Sequence, residues 1–187
     1  EAKKAFNNGE VFIEKYVRAP RHVEAQILAD EYGHIVHLFE RDCSIQRRHQ
    51  KIIEFSPSQS ISEETRRAIC EESVNLAKHV GYTNAGTVEF LVDENEKHYF
   101  MEVNPRIQVE HTVTELVTNV DLVQAQILIA EGYKLTDEEI NIKSQEDIKM
   151  SGAAIECRVT TENVLNNFMP DTGKIDVYKT GSGPGVR

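Results

Sequence analysis

The sequence predicts an α+β fold, a mostly antiparallel sheet with flanking helices on one side. Three observations carry that expectation. Several short stretches alternate apolar and polar residues, the period of a strand with one buried face. Turn-forming residues separate those stretches at hairpin distances. One long segment, 62–80, carries helix signals at both ends.

Residues 11–17 are rich in β-formers and read as a strand ending before Pro20. Val23, Ala25, Ile27 and Ala29 then alternate with Glu24, Gln26 and Leu28, as in a half-buried strand. Asp30-Glu31-Tyr32-Gly33 makes a turn, and 34–39 returns as a second strand. The dense polar run 40–51 breaks the pattern and reads as an extended loop. In the helix at 62–80, Ser62 is the cap, and Glu63 and Glu64 sit in the first turn. Lys78 and His79 lie in the last turn, with Gly81 just beyond. Ile69, Ser73, Leu76, Ala77 and Val80 make its expected buried stripe. A hairpin of 87–93 and 98–104 follows, then a polar loop and a second helix near 121–131. Residues 152–161 and 174–179 read as two more strands. The loop Gly181-Ser182-Gly183-Pro184-Gly185 is no dinucleotide fingerprint, because no helix follows it.

The chain has 187 residues, suiting one domain or a large fragment of one. It lacks an initiator Met and reads as a piece of a longer protein. Its 21 basic residues against 31 acidic ones leave −10, the wrong sign for a sequence-independent nucleic-acid binder. The apolar runs are too short to span a bilayer. Cys43, Cys70 and Cys157 are few and scattered, which suits reduced thiols in a cytoplasmic protein, with no zinc-type CxxC.

If 94–97 is a four-residue loop, Asp93 pairs with His98 and Glu89 lies directly opposite Glu102. Thr87, Leu91, Phe100 and Asn104 share that face. Val88, Phe90, Val92, Tyr99, Met101 and Val103 form the core face. Two facing carboxylates repel and need an offset. A bridging divalent ion with Asn104 as a further oxygen ligand would supply it, and all-oxygen ligands select Mg²⁺ or Mn²⁺. A solvated face, with the acids meeting water or a Lys, accounts for the pair as well.

Residues 41–51 carry four Arg/Lys against one Asp, a basic island able to hold an anion such as phosphate or bicarbonate. In isolation an exposed turn pairing with nearby acids is the simpler account. After the hairpin, Arg106 can fork onto a planar anion and Glu110 can act as a general base.

Two long motifs carry a resemblance. Glu40-Arg41-Asp42-Cys43-Ser44-Ile45-Gln46-Arg47-Arg48-His49-Gln50-Lys51 resembles one signature of biotin carboxylases in the ATP-grasp superfamily. Phe100-Met101-Glu102-Val103-Asn104-Pro105-Arg106-Ile107-Gln108-Val109-Glu110-His111 resembles their second. Thr112-Val113-Thr114-Glu115 and Phe168-Met169-Pro170-Asp171-Thr172-Gly173 look most like the biotin carboxylase domains of bacterial pyruvate carboxylases. The resemblance implies that 1–150 is the C-terminal part of an ATP-grasp domain, with a lid and an N-terminal domain lying upstream. Residues 151–187 would begin the biotin carboxylase C-terminal domain.

It further implies nucleotide contacts from Glu14, Lys15, Val17, His22, Gln46 and His49. Glu89, Glu102 and Asn104 would be the metal ligands. Lys51, Arg106, Gln108 and Val109 would form a bicarbonate pocket. Glu110, Arg106, Arg158 and Lys51 are the expected catalytic residues. The implied chemistry is carboxylation of biotin by ATP and bicarbonate through carboxyphosphate, with Glu110 as base and Arg158 stabilising the biotin enolate. A biotin carrier domain and a carboxyltransferase domain acting on pyruvate would be partners within a homo-oligomeric parent. An acyl-CoA carboxylase would run the same chemistry here. A fragment that only binds nucleotide, or a catalytically dead module, is the alternative of another class.

Overall fold

The computed structural model describes residues 1–187. They divide into two units, Glu1–Cys157 and Arg158–Arg187.

In the first unit, β1 (Arg21–Ala29) lies at the centre of a sheet that is antiparallel throughout. On one side it pairs with β4 (Asn84–Val92), which pairs with β5 (His98–Asn104). On the other it pairs with β2 (Ile35–Arg47), followed by β3 (Gln50–Ser56) and β6 (Ala154–Cys157). Central placement explains why β1 is not half-buried as its alternation suggests: every residue from Val23 to Ala29 is buried. Val23, Ala25 and Ile27 pack with Ile69, Cys70 and Ala77 of α2 (Glu63–Val80). Leu28, on the opposite face, packs with Leu122, Ala125 and Ile129 of α4 (Leu122–Ala130). The helices therefore cover both faces of the sheet, not one.

The second face of β1 changes character along its length. Leu28 lies in an apolar cluster, and then come Gln26 and Glu24, both fully buried. That polar end of the face is where the candidate site forms.

The polar run 40–51 is not a loop. β2 continues through it to Arg47, and Arg48 and His49 turn in the left-handed region into β3, a strand that sequence reading did not anticipate. The run can be a strand because its charges find partners. Glu40 accepts from Arg66 Nε of α2 at 2.8 Å. Asp42 accepts from the hydroxyls of Ser44, Ser58 and Ser60 at 2.6–2.8 Å. An irregularity between Ala25 and Ile27, beside Phe39 at φ 60°, shifts the register so that Arg41 faces the same side as Glu24.

α2 matches its expected caps. Ser62 accepts from Thr65 N, and Gly81, at φ 60°, ends the helix in the left-handed conformation. Val80 departs from the expected stripe and is exposed, while Thr65 and Cys70 join the buried side. The hairpin has a five-residue connection, 93–97, so Val92 pairs with His98. A register shift between Glu89 and Phe90 absorbs the extra residue and restores Glu89 opposite Glu102. Of the expected core face, Val88, Phe90 and Val92 are buried but Met101, on the edge strand, is exposed.

Other expectations fail. Residues 11–17 form no strand, for no edge hydrogen-bonds to them, and only Val17 is buried. α3 (His111–Thr118) occupies what reads as a polar loop. Residues 1–157 also include a short N-terminal helix, α1 (Ala2–Phe6). In the second unit, β7 (Glu162–Asn163) pairs with β8 (Met169–Pro170), and the strand expected at 174–179 is absent, its residues exposed.

Gly86 of β4 shows how closely this core is packed. A Cβ there would lie 2.5 Å from the Tyr82 hydroxyl, which donates to Ala85 O at 3.0 Å. Gly86→Ala will lower stability by about 1–3 kcal/mol, measured by urea unfolding, because the ring must give up its place and its hydrogen bond.

Candidate active site

Four strands place four charged residues side by side. Glu102 of β5 lies opposite Glu89 of β4, Glu89 opposite Glu24 of β1, and Glu24 opposite Arg41 of β2. Three neighbouring carboxylates across one sheet would force it apart unless cations answer them. Lys51, reaching over from β3, answers Glu24 and Glu89 together with Glu110 at the start of α3. Its Nζ lies 2.5 Å from Glu24 Oε2, 3.0 Å from Glu89 Oε1 and 2.7 Å from Glu110 Oε1.

Lys51, Glu89 and Glu110 are each shifted toward the ionised form. Burial works against the Lys51 ammonium, but Glu24 and Glu110 hold its pKa above the ordinary lysine value. Burial would push Glu89 up, yet hydrogen bonding by His22 and the charge of Lys51 carry it well below the carboxylate range. In Glu110 the same opposition, burial against Lys51, ends below its ordinary value. His22 Nε2 sits 2.6 Å from Glu89 Oε2, and its Nδ1 lies 2.8 Å from Gln46 Nε2.

The loop after β5 brings in the rest. Asn104 Nδ2 and Gln108 Nε2 donate to Glu89 Oε1 at 2.9 and 2.8 Å. Arg106, exposed, donates to Asn104 Oδ1 at 3.2 Å. Glu110 stands at the start of α3 and is buried. The structure thus joins His22, Gln46, Lys51, Glu89, Asn104, Arg106, Gln108 and Glu110 in one network. Glu102 is beside it, exposed at the sheet edge.

Glu14 is exposed on the 11–17 segment, and Lys15 Nζ bonds the Tyr99 hydroxyl at 2.7 Å. Val17 is buried. His49 is at the exposed turn between β2 and β3, and Val109 is 59% exposed. Arg158 opens the second unit.

Two residues central to the network were not anticipated as site residues. Glu24 read as the outward half of an alternating strand, and Arg41 as one charge in a basic island. Both are fully buried, and Arg41 Nε donates to Glu24 Oε1 at 2.7 Å. Their signal was available: a carboxylate and an amide two residues apart, amid Val, Ala, Ile and Leu, need buried partners if the strand is central.

For a metal, the donors are hard oxygens, which suit Mg²⁺ or Mn²⁺. The buried acids Glu24, Glu89 and Glu110 outnumber Lys51 and Arg41, three to two, and Glu102 adds a further negative charge. Glu89 and Glu102 face each other beside this excess charge. Glu89 Oε1 already accepts from Lys51, Asn104 and Gln108, and its Oε2 lies 2.6 Å from His22 Nε2, so a divalent cation there would have to displace one of these partners. Asn104 fits less directly, since its amide turns Nδ2 toward Glu89 and Oδ1 toward Arg106.

A family model described as the carbamoyl-phosphate synthase L chain, ATP binding domain, matches residues 1–138. Pyruvate carboxylase of Bacillus subtilis (strain 168) is 60% identical over 187 residues, which is 100% of this chain and 16% of that protein. A structure of Rhizobium etli pyruvate carboxylase with the allosteric activator acetyl coenzyme-A superposes with a TM-score of 0.93 at 51% identity, covering 100% of this chain and 17% of that one. The biotin carboxylase domain dimer of Hydrogenobacter thermophilus 2-oxoglutarate carboxylase, in complex with MgADP, ADP and bicarbonate, gives 0.89 at 47% identity. It covers 97% of this chain and 39% of that one. The chain spans a small part of the relatives it matches, but the family match covers most of its own length. The chain belongs to the family of carbamoyl-phosphate synthase L chain ATP-binding domains, with the ATP-grasp fold of biotin carboxylases.

Proposed function

We propose that the chain is the part of a biotin carboxylase that handles nucleotide phosphates and bicarbonate, within a multidomain enzyme carboxylating pyruvate. One observation carries this reading: Lys51 touches both Glu89, of the opposed acid pair, and Glu110, beside Gln108 and Arg106. A phosphate–metal half-site and an anion half-site thus meet at one ammonium. The likeness to a biotin carboxylase domain bound to MgADP and bicarbonate supports both halves.

Bicarbonate binds between Lys51, Arg106, Gln108 and the Val109 backbone. Glu110, ionised, takes its proton, and a bicarbonate oxygen attacks the γ-phosphorus of ATP. The bond to the β,γ-bridging oxygen breaks, giving ADP and carboxyphosphate. Glu89 and Glu102 would hold a divalent cation, which when bound would supply charge neutralisation at the phosphoryl oxygens. His22 keeps Glu89 ionised and oriented, while Gln46 orients the His22 ring. The segment holding Glu14, Lys15 and Val17 is assigned to the adenine, and His49 to the phosphates. Arg158 is assigned to the biotin brought by a separate carrier domain, and 151–187 to the start of the next domain.

Calorimetric titration of Mg-ADP into the chain, with Glu102→Gln alongside, tests the nucleotide half. Binding should require Mg²⁺ and weaken at least about tenfold in the variant, since even outer-shell partners of metals are worth that much. Tight binding indifferent to both metal and mutation would overturn the assignment of the facing glutamates.

A further inference from the structure

Arg41 uses every donor it has. A guanidinium carries five N–H groups. Nε donates to Glu24 Oε1 (2.7 Å), and Nη1 to Gln26 Oε1 (2.7 Å) and Thr114 Oγ1 (2.8 Å). Nη2 donates to Thr87 Oγ1 (3.3 Å) and Gln108 Oε1 (3.1 Å). These acceptors come from β1, β4, α3 and the loop before α3. Only one of them is a carboxylate. A buried cation with one counter-charge is a poor way to stabilise a core, where apolar side chains of similar volume do as well or better. What the arrangement supplies is geometry.

Two of the five acceptors lead into the network around Lys51. With Glu24 Oε1 committed to Arg41, Oε2 is the oxygen left for Lys51 Nζ. With Gln108 Oε1 committed to Arg41, its Nε2 must face Glu89. Without the guanidinium the amide could turn over and set an oxygen against the Glu89 carboxylate, which would expel it. Lysine cannot substitute, because one ammonium lacks the planar fork that reaches acceptors on both sides.

We infer that Arg41 is a positioning residue for the bicarbonate half of the site, orienting Gln108 directly and Lys51 through Glu24 without touching substrate. The inference rests on the proposed reading of Gln108 and Lys51 as bicarbonate-binding.

The test is a double-mutant cycle on steady-state kinetics in the full-length protein that contains this chain, with Arg41→Lys, Gln108→Met and the double variant. Each single change should raise the bicarbonate KM about tenfold, the worth of one hydrogen bond to a charged partner. The ATP KM should rise less than the bicarbonate KM, the smaller effect reflecting the hydrogen bond that Gln108 gives to Glu89. The double variant should fall well short of the product of the two, exceeding Gln108→Met only by the part of the Arg41 effect that runs through Glu24 and Lys51. Multiplying effects, about a hundredfold in the double variant, or equal rises in both KM values, would overturn the inference while leaving the pocket standing. An unchanged bicarbonate KM in Gln108→Met would bring down the pocket assignment, and the inference with it. Should Arg41→Lys fail to fold, Thr114→Val decides. It loosens the guanidinium far from substrate, and should raise the bicarbonate KM severalfold with the ATP KM unmoved; no change would overturn the inference.

Discussion

Lys51→Met will destabilise the protein at neutral pH by about 3–5 kcal/mol, the usual consequence of removing one partner from a buried charge cluster. The ammonium is the common neighbour of Glu24, Glu89 and Glu110, which lie close together on adjoining strands and the start of α3. Arg41 reaches only Glu24 among them. The pH dependence identifies the cause. In the native protein Glu89 and Glu110 titrate below their ordinary values. Their contribution is present above the unfolded carboxylate pKa and lost as pH falls through the folded one. Without Lys51 the carboxylates repel, at least one must titrate above its unfolded value, and the variant gains stability as pH drops toward that range. Urea unfolding at pH 7.5 and 5.5 should therefore show a smaller gap between variant and parent at the lower pH. An equal gap at both would mean that Lys51 acts through packing.

The same cluster shows how far the sequence could be read. Signals lying within one element came through. Ser62, the acidic first turn and Gly81 are local to α2 and mark its ends correctly. The opposition of Glu89 and Glu102 was also legible, though by a route that hid an error. The connection is one residue longer than expected, and a register shift beside Phe90 restores the pairing. What failed depends on neighbours. Residues 11–17 have strand composition but no strand to pair with. His111–Thr118 is rich in Val and Thr, poor helix formers, and α3 exists because Val113, Thr114, Glu115 and Val117 are buried by other elements. Lys51 was legible as a cation, and Glu24 only as the outward face of a strand. Their contact joins positions 27 residues apart in sequence, which no periodicity reports.

Glu110→Gln should lower kcat of bicarbonate-dependent ATP cleavage by about 10²–10⁴, the range for a lost general base, in the full-length protein. The substitution preserves shape, and its amide oxygen can still accept from Lys51, so folding and the ATP KM should hold. What disappears is the ability to take a proton. The position of Glu110 matters for the pH profile as well. Burial pushes its carboxyl up, but the hydrogen bond and charge of Lys51 push it further down, below the ordinary glutamate value. The base is then fully ionised at neutral pH, so the acid limb of kcat should fall only below that value, and the variant should lack that limb. Lys51 thus plays against itself: by stabilising the carboxylate it guarantees the ionised form and weakens it as a base. On the proposed reading, bound bicarbonate would draw Lys51 partly away from Glu110 as the proton moves, its own charge competing for the ammonium. A Glu110→Gln enzyme with parental kcat would place the proton acceptor on the phosphate oxygens and leave Glu110 as a counter-ion to Lys51.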